Sequence, residues 1–350
     1  KALSEVLDKY DYTGLAIAIV KDGKIVWSNE YGVKNLTTGK KIKKDDLFRI
    51  ASISKTFTSS AIMQLYEKGK FALDDDISDA LGFKVRNPRF PDAKITYRML
   101  LSHTSSLSDA EGYFDYDVLK PDKNPNYAKA YWDYAPGGRY NYCNLGFNLL
   151  GALVEIHSGQ RFDSYIRQNI LLPLGIKDAG FCVDSLNAKK FVSLYNRENS
   201  QWIEQTEAYR SRADEMKNYV MGKNTVWFSP TGGMKISAVN LAKWMQCRMY
   251  YGTFNNKTVL KEETARLMLE TVKPAEGKSS YGLGITHNDE YVAGERFYGH
   301  TGGAYGLLSA MFFIPEKKFG VAMMCSGSAA KEGQNRILAD VIAAMYNVFM

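Results

Sequence analysis

Strand-forming segments lie at both ends of this chain, and helical patterns fill the region between them. Near the amino terminus, residues 14–31 contain two β-rich runs joined by Lys21-Asp22-Gly23-Lys24, and Asp-Gly between such runs predicts a tight hairpin. Near the carboxyl terminus we predict four more strands and a terminal helix. The strands cover residues 281–285, 290–298, 307–314 and 320–324, and the helix covers 334–349.

Helical spacing and long loops characterise the middle of the chain. The helical stretches cover residues 54–67, 97–101, 144–158, 162–172 and 238–251. An antiparallel sheet from both termini, flanked by helices and with an inserted all-helical region, is an α/β fold of the α+β type. We expect a sheet domain of residues 1–60 and 225–350, a mainly helical domain of residues 61–224, and an active site in the cleft between them.

Charge and cysteine patterns restrict the possible partners. The 350 residues carry 45 basic and 38 acidic side chains, without the run of like charges that is typical of nucleic-acid binding. No apolar run approaches the ~18 residues that a membrane-spanning helix needs. We therefore expect a small-molecule or peptide substrate, and the oligomeric state is left open. Free thiols are favoured over zinc ligands or two disulfides at the widely spaced Cys143, Cys182, Cys247 and Cys325.

Three short elements carry side chains suited to nucleophilic catalysis: Ser52-Ile53-Ser54-Lys55, Tyr142-Cys143-Asn144 and His300-Thr301-Gly302. A serine hydroxyl is inert at neutral pH unless a neighbouring base takes its proton. Lys55 lies one helical turn after Ser52 and can act as this base if burial lowers its pKa from about 10.4. The same spacing recurs at Ser328-Ala329-Ala330-Lys331, which has no supporting context and is interpreted as a chance match.

The first two elements also have structural interpretations. Ser52 could cap a helix and Lys55 could be a surface charge, while Asn144 could be a helix N-cap and Tyr142 a core aromatic. In the functional interpretation, the Tyr142 phenol relays protons and the Asn144 amide orients the substrate.

The third element follows the predicted strand 290–298 and is rich in glycine. Glycine lets a ligand approach the backbone closely, so the N–H groups of Gly303 and Ser52 could together form an oxyanion hole. Pro230-Thr231-Gly232-Gly233 has a similar composition, and we interpret it as a turn without a catalytic role.

In order and context, these elements resemble the serine β-lactamase and penicillin-binding-protein superfamily. The most similar branch contains class C β-lactamases, low-molecular-weight DD-peptidases and related esterases. The resemblance covers nearly the whole chain. It is carried by FRIASISK from Phe48 to Lys55, ITYRMLLSHTSSL from Ile95 to Leu107, PGGRYNYCNLGFNLLG from Pro136 to Gly151, and YGHTGGAYGLLS from Tyr298 to Ser309.

This resemblance implies a role for each matching residue. Ser52 would be the acylated nucleophile, with Lys55 and Tyr142 as the proton-transfer pair. The N–H groups of Ser52 and Gly303 would form the oxyanion hole, and neither a metal nor an organic cofactor would be needed. The substrate-binding residues would be Asn144, His300, Thr301 and Gly302.

Two positions depart from the family pattern. His300 stands where β-lactamases of this branch usually carry lysine, so a group that titrates near pH 6.5 replaces a fixed cation. This difference shifts our expectation from a β-lactamase toward a peptidase or an esterase. Ser106 stands where relatives commonly have glycine, in the segment that contains His103, which we interpret as structural.

We expect a serine hydrolase that cleaves an amide or ester through an acyl-enzyme, most closely a DD-carboxypeptidase of the penicillin-binding type. The alternatives are a carboxylesterase of the same fold, a slowly deacylating β-lactam-binding sensor domain and an inactive structural relative. A cell-wall enzyme would be periplasmic or secreted, and the missing initiator methionine fits a removed signal peptide. Loops 108–134 and 182–228 are expected to determine specificity.

Overall fold

The computed structural model describes residues 1–350, and strands from both ends of the chain meet in one sheet. The strands are β1 Tyr10–Lys21, β2 Lys24–Gly32, β3 Phe48–Arg49, β4 Tyr195–Glu198, β5 Gln201–Glu204, β6 Lys235–Ile236, β7 Thr253–Phe254, β8 Lys257–Thr258, β9 Thr286–Asn288, β10 Phe297–Ala304, β11 Leu307–Ile314 and β12 Phe319–Ala330. Six of them form an antiparallel sheet in the order β2-β1-β12-β11-β10-β9. The predicted fold class is therefore confirmed.

Helices surround this sheet and fill the middle of the chain. They are α1 Ala2–Leu7, α2 Ser54–Glu67, α3 Ile77–Leu81, α4 Tyr97–Leu101, α5 Asn144–Ser158, α6 Phe162–Ile166, α7 Ala238–Met249, α8 Glu262–Leu269 and α9 Ile337–Phe349. A π-helical turn over Arg167–Leu171 continues α6, so the predicted helix 162–172 is present with a changed hydrogen-bond pattern in its second half. None of the helices combines the length and apolar character needed to cross a bilayer.

Successive side chains of β1 enter two hydrophobic cores, one on each face of the sheet. Ile17 and Ile19 join the smaller core, which α1 and α9 cover with side chains such as Leu3 and Val341. Ala18, on the opposite face, belongs to the larger core that includes α2, α5 and α7. Burial on both faces explains why this strand is a nearly continuous apolar run rather than an alternating one.

The middle of the chain differs in one respect from the expected all-helical region. Residues 61–224 include the hairpin of β4 and β5, whose four paired positions run from Tyr195–Glu204 to Glu198–Gln201. The larger core also contains buried side chains from both expected domains, including Phe48 and Leu145. The division into two domains stays a prediction.

The strands near His300-Thr301-Gly302 do not begin and end at the predicted residues. Within the predicted strand 281–285, Tyr281 forms only an isolated bridge with Thr286, and most of 290–298 is loop. β10 instead begins at Phe297 and continues through the glycine-rich residues to Ala304. Glycine lowers β-propensity, but pairing with β11 satisfies the backbone and overrides that preference.

Candidate active site

Ser52 lies in a 3₁₀ turn, Ala51–Ile53, that leads directly into α2. Ala51 has a positive φ of 49°, a costly conformation for a residue with a side chain and one that is concentrated at functional sites. On the sheet side, the Ser309 hydroxyl donates a hydrogen bond to the Ile50 carbonyl at 2.9 Å. The turn is thus fixed between the sheet and the start of a buried helix.

Lys55 is fully buried, and its Nζ lies 3.1 Å from Ser52 Oγ. It also donates hydrogen bonds to Asn144 Oδ1 at 2.8 Å and to the Thr231 carbonyl at 3.0 Å. Burial lowers the pKa of Lys55 to about 7, against an opposing effect of the Asp109 charge. The interpretation of Lys55 as a surface charge is wrong, because the amine is buried and titrates near neutral pH.

Asp109, which sequence reasoning missed, holds the start of α5 from a loop. Its carboxylate accepts hydrogen bonds from the backbone N–H groups of Asn144 and Leu145, each at 2.9 Å. It also accepts from Asn144 Nδ2 at 2.9 Å and from the thiol of Cys143, which is free like the other three cysteines. Asn144 is therefore not the N-cap. It is the first helical residue, and its side chain joins Asp109 to Lys55.

The Pro230–Gly233 segment is a turn, as predicted, but it forms part of the lysine environment. Besides the contact with Lys55, the Thr231 hydroxyl donates to Asn144 Oδ1 at 2.7 Å. A Cβ built on Gly232 would lie 3.8 Å from the backbone of Ala51, beside the serine turn. The interpretation of this segment as unrelated to the site is wrong, because Thr231 bonds both Lys55 and Asn144.

The Tyr142 ring packs against both Lys55 and the His103 ring. The centroid of the Tyr142 ring lies 4.7 Å from Lys55 Nζ and 4.3 Å from the His103 ring. Tyr142 is not a core aromatic, because 39% of its surface is exposed. Its phenol group is nevertheless surrounded by the site, and this burial raises the pKa of Tyr142 while hydrogen bonding to Ser52 acts in the opposite direction, so the phenol is neutral at pH 7.

His103 acts through the backbone, in agreement with its structural interpretation. Its Nδ1 accepts a hydrogen bond from the Cys143 N–H at 3.1 Å, next to Tyr142. Burial, with the charge of Lys55, holds the pKa of His103 well below its usual value. Ser106, nearby, has a φ of 62°, a backbone conformation that glycine adopts more readily than serine.

The His300 side chain, in the middle of β10, is buried rather than exposed to a ligand. Its Nδ1 donates to the Thr301 carbonyl at 2.5 Å, and its Nε2 accepts from the Tyr281 hydroxyl at 2.9 Å. Burial and the charge of Lys55 lower the pKa of His300 to about 3. The expectation that this side chain titrates near pH 6.5 is wrong, because both ring nitrogens are already bonded in the neutral form.

The next three residues of β10 alternate between the two faces of the strand. Thr301 and Gly303 are exposed, whereas Gly302 is buried against the serine turn. A Cβ on Gly302 would lie 2.3 Å from the Ile50 carbonyl oxygen and 3.1 Å from Ser52 N. Only glycine lets the strand approach the serine backbone this closely. The structure thus brings all three sequence elements together at one place.

A mixed helix and antiparallel-sheet fold that places a serine hydroxyl beside a buried lysine amine defines the serine β-lactamase and penicillin-binding-protein class. The family model for Beta-lactamase matches residues 1–344, and the chain belongs to this family.

Three known proteins illustrate the similarity. Penicillin-binding protein 4* of Bacillus subtilis (strain 168) is 30% identical over 179 residues, which cover 49% of this chain and 38% of that relative. The chain thus spans well under half of that relative's length. The penicillin binding protein from Bacillus halodurans has a TM-score of 0.74 at 26% identity, covering 100% of this chain and 99% of that one. The octameric penicillin-binding protein homologue from Pyrococcus abyssi has a TM-score of 0.75 at 25% identity, with coverages of 99% and 75%.

Proposed function

We propose that the protein hydrolyses amide bonds through an acyl-enzyme on Ser52, as a peptidase of the DD-carboxypeptidase type. The observation that carries this proposal is the 3.1 Å separation between Ser52 Oγ and Lys55 Nζ. The pKa of about 7 adds to it, because about half of the lysine is then a neutral amine at neutral pH.

The hydrogen bonds of Lys55 direct its proton transfer. A neutral amine has two N–H donors and one lone pair. Asn144 Oδ1 and the Thr231 carbonyl can only accept, so they take the two N–H groups. The lone pair then faces the Ser52 hydroxyl, and Lys55 takes the serine proton as Oγ attacks the substrate carbonyl.

The remaining groups stabilise the tetrahedral intermediate and protonate the leaving group as the intermediate breaks down. The N–H groups of Ser52 and Gly303 stabilise its oxyanion, in a site where Gly302 allows close approach. The neutral Tyr142 phenol gives its proton to the leaving amine and regains one from Lys55. Water then attacks the acyl-enzyme, and the same groups return the proton to Ser52.

The substrate class follows from the relatives. A neutral, buried His300 supplies no cation on this side of the site for the carboxylate that a β-lactam and a D-Ala-D-Ala peptide both carry, so the exposed Thr301 is the residue left to meet it. The named relatives are penicillin-binding proteins, which supports a site for D-amino-acid peptides that penicillin can acylate. The exposed Thr301 and the Asn144 amide are the proposed substrate ligands on the two sides of Ser52.

Three substrates test this proposal: a fluorescent penicillin, a D-Ala-D-Ala peptide and p-nitrophenyl esters. We expect covalent labelling and peptide hydrolysis, both lost in Ser52→Ala and retained in Ser328→Ala, the matched change in the second Ser-x-x-Lys segment. Ester turnover without peptide hydrolysis would identify a carboxylesterase instead. Stable labelling without any turnover would identify a sensor domain, and failure of every reaction would refute the proposal.

A further inference from the structure

A cavity of about 110 Å³ has Arg49, Gly233 and Lys235 among its lining residues. Lys235 of β6 lines it and is only 3% exposed. The Lys235 Nζ donates one hydrogen bond, to the Phe181 carbonyl at 2.6 Å, and forms no ion pair with a carboxylate. A buried amine with unused hydrogen-bonding capacity therefore borders an open space.

A second cation on the cavity wall also lacks a carboxylate partner. Arg49 donates to the Gly232 carbonyl and the Ala208 carbonyl, each at 3.1 Å, and its Cζ lies 4.9 Å from the centroid of the Tyr305 ring. These contacts leave its positive charge uncompensated.

The other charged side chains of the cavity do not neutralise these two. Arg210 lies within ion-pair distance of Glu207 and Glu215, and Arg212 bonds Glu215, so the two arginines are matched by two carboxylates. Asp184 is exposed and accepts hydrogen bonds from the Ser211 hydroxyl and the Arg212 N–H. The unpaired charge at the buried end of the cavity is therefore that of Arg49, beside the Lys235 amine.

An uncompensated buried cation costs free energy, and an anion in contact with it offsets that cost. Burial holds the pKa of Lys235 well below its usual value, with the neighbouring Arg49 charge acting in the same direction. An anion placed between Lys235 and Arg49 would favour the charged lysine and fill both unused donors.

The cavity shares its walls with the serine site. The carbonyl of Gly232 is bonded to Arg49, and the adjacent carbonyl of Thr231 is bonded to Lys55. On the opposite side, Tyr305 follows Gly303 of β10 by two residues. The cavity is therefore separated from the serine site by only the segment around Gly232, and residues of the two elements beside Ser52 line it.

We propose that this cavity binds a carboxylate carried by the acyl portion of the substrate, so that the enzyme prefers acidic acyl donors. This inference rests on the proposed function. This volume is several times what a single buried water molecule needs, enough for a carboxylate with a short methylene stem. Lys235 and Arg49 would bind the carboxylate as specificity-determining residues.

The first experiment compares p-nitrophenyl hydrogen glutarate with p-nitrophenyl valerate, which has a methyl group in place of the carboxylate. We expect the wild type to prefer the glutarate ester in kcat/KM, and Lys235→Met to lower that preference at least about tenfold. Turnover of the valerate ester, measured on the same samples, reports whether the variant is folded and active. Equal preference in both proteins would refute the proposal.

The second experiment measures binding without chemistry. Ser52→Ala is titrated with glutarate and, as a neutral control, with glutaramide. We expect calorimetry to detect binding of glutarate but not of glutaramide. Glutarate binding should be lost when Lys235→Met is combined with Ser52→Ala. It should become tighter with Asp184→Asn, which removes a competing negative charge at the exposed rim.

These outcomes separate the two proposals. Glutarate binding without turnover of any ester or of the D-Ala-D-Ala peptide would leave the cavity assignment standing and refute the proposed function. Glutarate binding without an ester preference would mean that the cavity takes a free carboxylate, which overturns its assignment to the substrate. Turnover of both esters without glutarate binding and without a preference for the glutarate ester would refute the cavity assignment and leave the proposed function standing.

Discussion

The Asp109 carboxylate accepts a hydrogen bond from the side-chain amide of Asn144, with 2.9 Å between Oδ2 and Nδ2. The two ends of an amide differ chemically, so this bond directs Asn144 Oδ1 toward Lys55 Nζ at 2.8 Å. A carboxylate in a loop therefore sets both the orientation and the electrostatic environment of the lysine beside Ser52. This arrangement makes Asp109 a positioning residue for the proposed reaction.

Asp109→Asn is expected to lower kcat about tenfold and to move the acidic limb of the pH–rate profile to lower pH. The loss in kcat follows from weaker fixing of the Asn144 amide. The shift follows because the Asp109 charge raises the pKa of Lys55, and the variant removes that charge. The profile of kcat/KM against pH measures the shift of the acidic limb. Asp117→Asn, which removes a carboxylate bonded to Lys120 at the surface, is the control. A limb displaced to higher pH would contradict this role.

The wild-type profile itself reports the titration of Lys55. Because only the neutral amine accepts the serine proton, kcat/KM is expected to rise with pH through about 7 and then level off. His300, whose pKa is about 3, cannot produce this limb. His300→Gln should therefore leave the midpoint in place, and a midpoint that disappears in this variant would assign the limb to the histidine.

The sequence predicts the central strands and the helix after Ser52 because those segments are long apolar runs bounded by turn signals. The limits of β10 are missed, since a glycine-rich strand has weak local propensity and is held by pairing with β11. Asp109 is missed for a different reason. Its role depends on a loop meeting a helix start 35 residues later, and no local pattern encodes that contact. Burial of His300 likewise depends on Tyr281 and on the sheet around it.

Gly302→Ala should reduce acylation of Ser52 about a hundredfold. The added Cβ would lie 2.3 Å from the Ile50 carbonyl oxygen, so β10 or the serine turn must move. A displacement of about 1 Å at the reacting groups is enough for a loss of this size. The rate of labelling by a fluorescent penicillin measures the effect. Gly146→Ala in α5 is the control, because its Cβ would meet only Leu100 at an ordinary distance of 3.5 Å. Equal labelling rates for the two variants would show that close approach at Gly302 is dispensable.

Lys55→Met is expected to abolish activity and yet raise the free energy of unfolding by about 2 kcal/mol at pH 7. The pKa of Lys55 falls from 10.5 to about 7 on folding, so the folded state is fully penalised below pH 7. This penalty decreases as the pH rises from 7 and vanishes above 10.5, and the advantage of the variant should decrease with it. Loss of the bond to the Thr231 carbonyl reduces the gain.

Urea unfolding at pH 6, 7, 9 and 10 measures this stability difference. Lys331→Met in the second Ser-x-x-Lys segment is the matched control, because Lys331 is exposed and bonds only the Asp8 carbonyl. Its stability should equal that of the wild type at each pH. A pH-independent loss of stability in Lys55→Met would mean that the buried lysine keeps its ordinary pKa, in which case it could not serve as the base for Ser52.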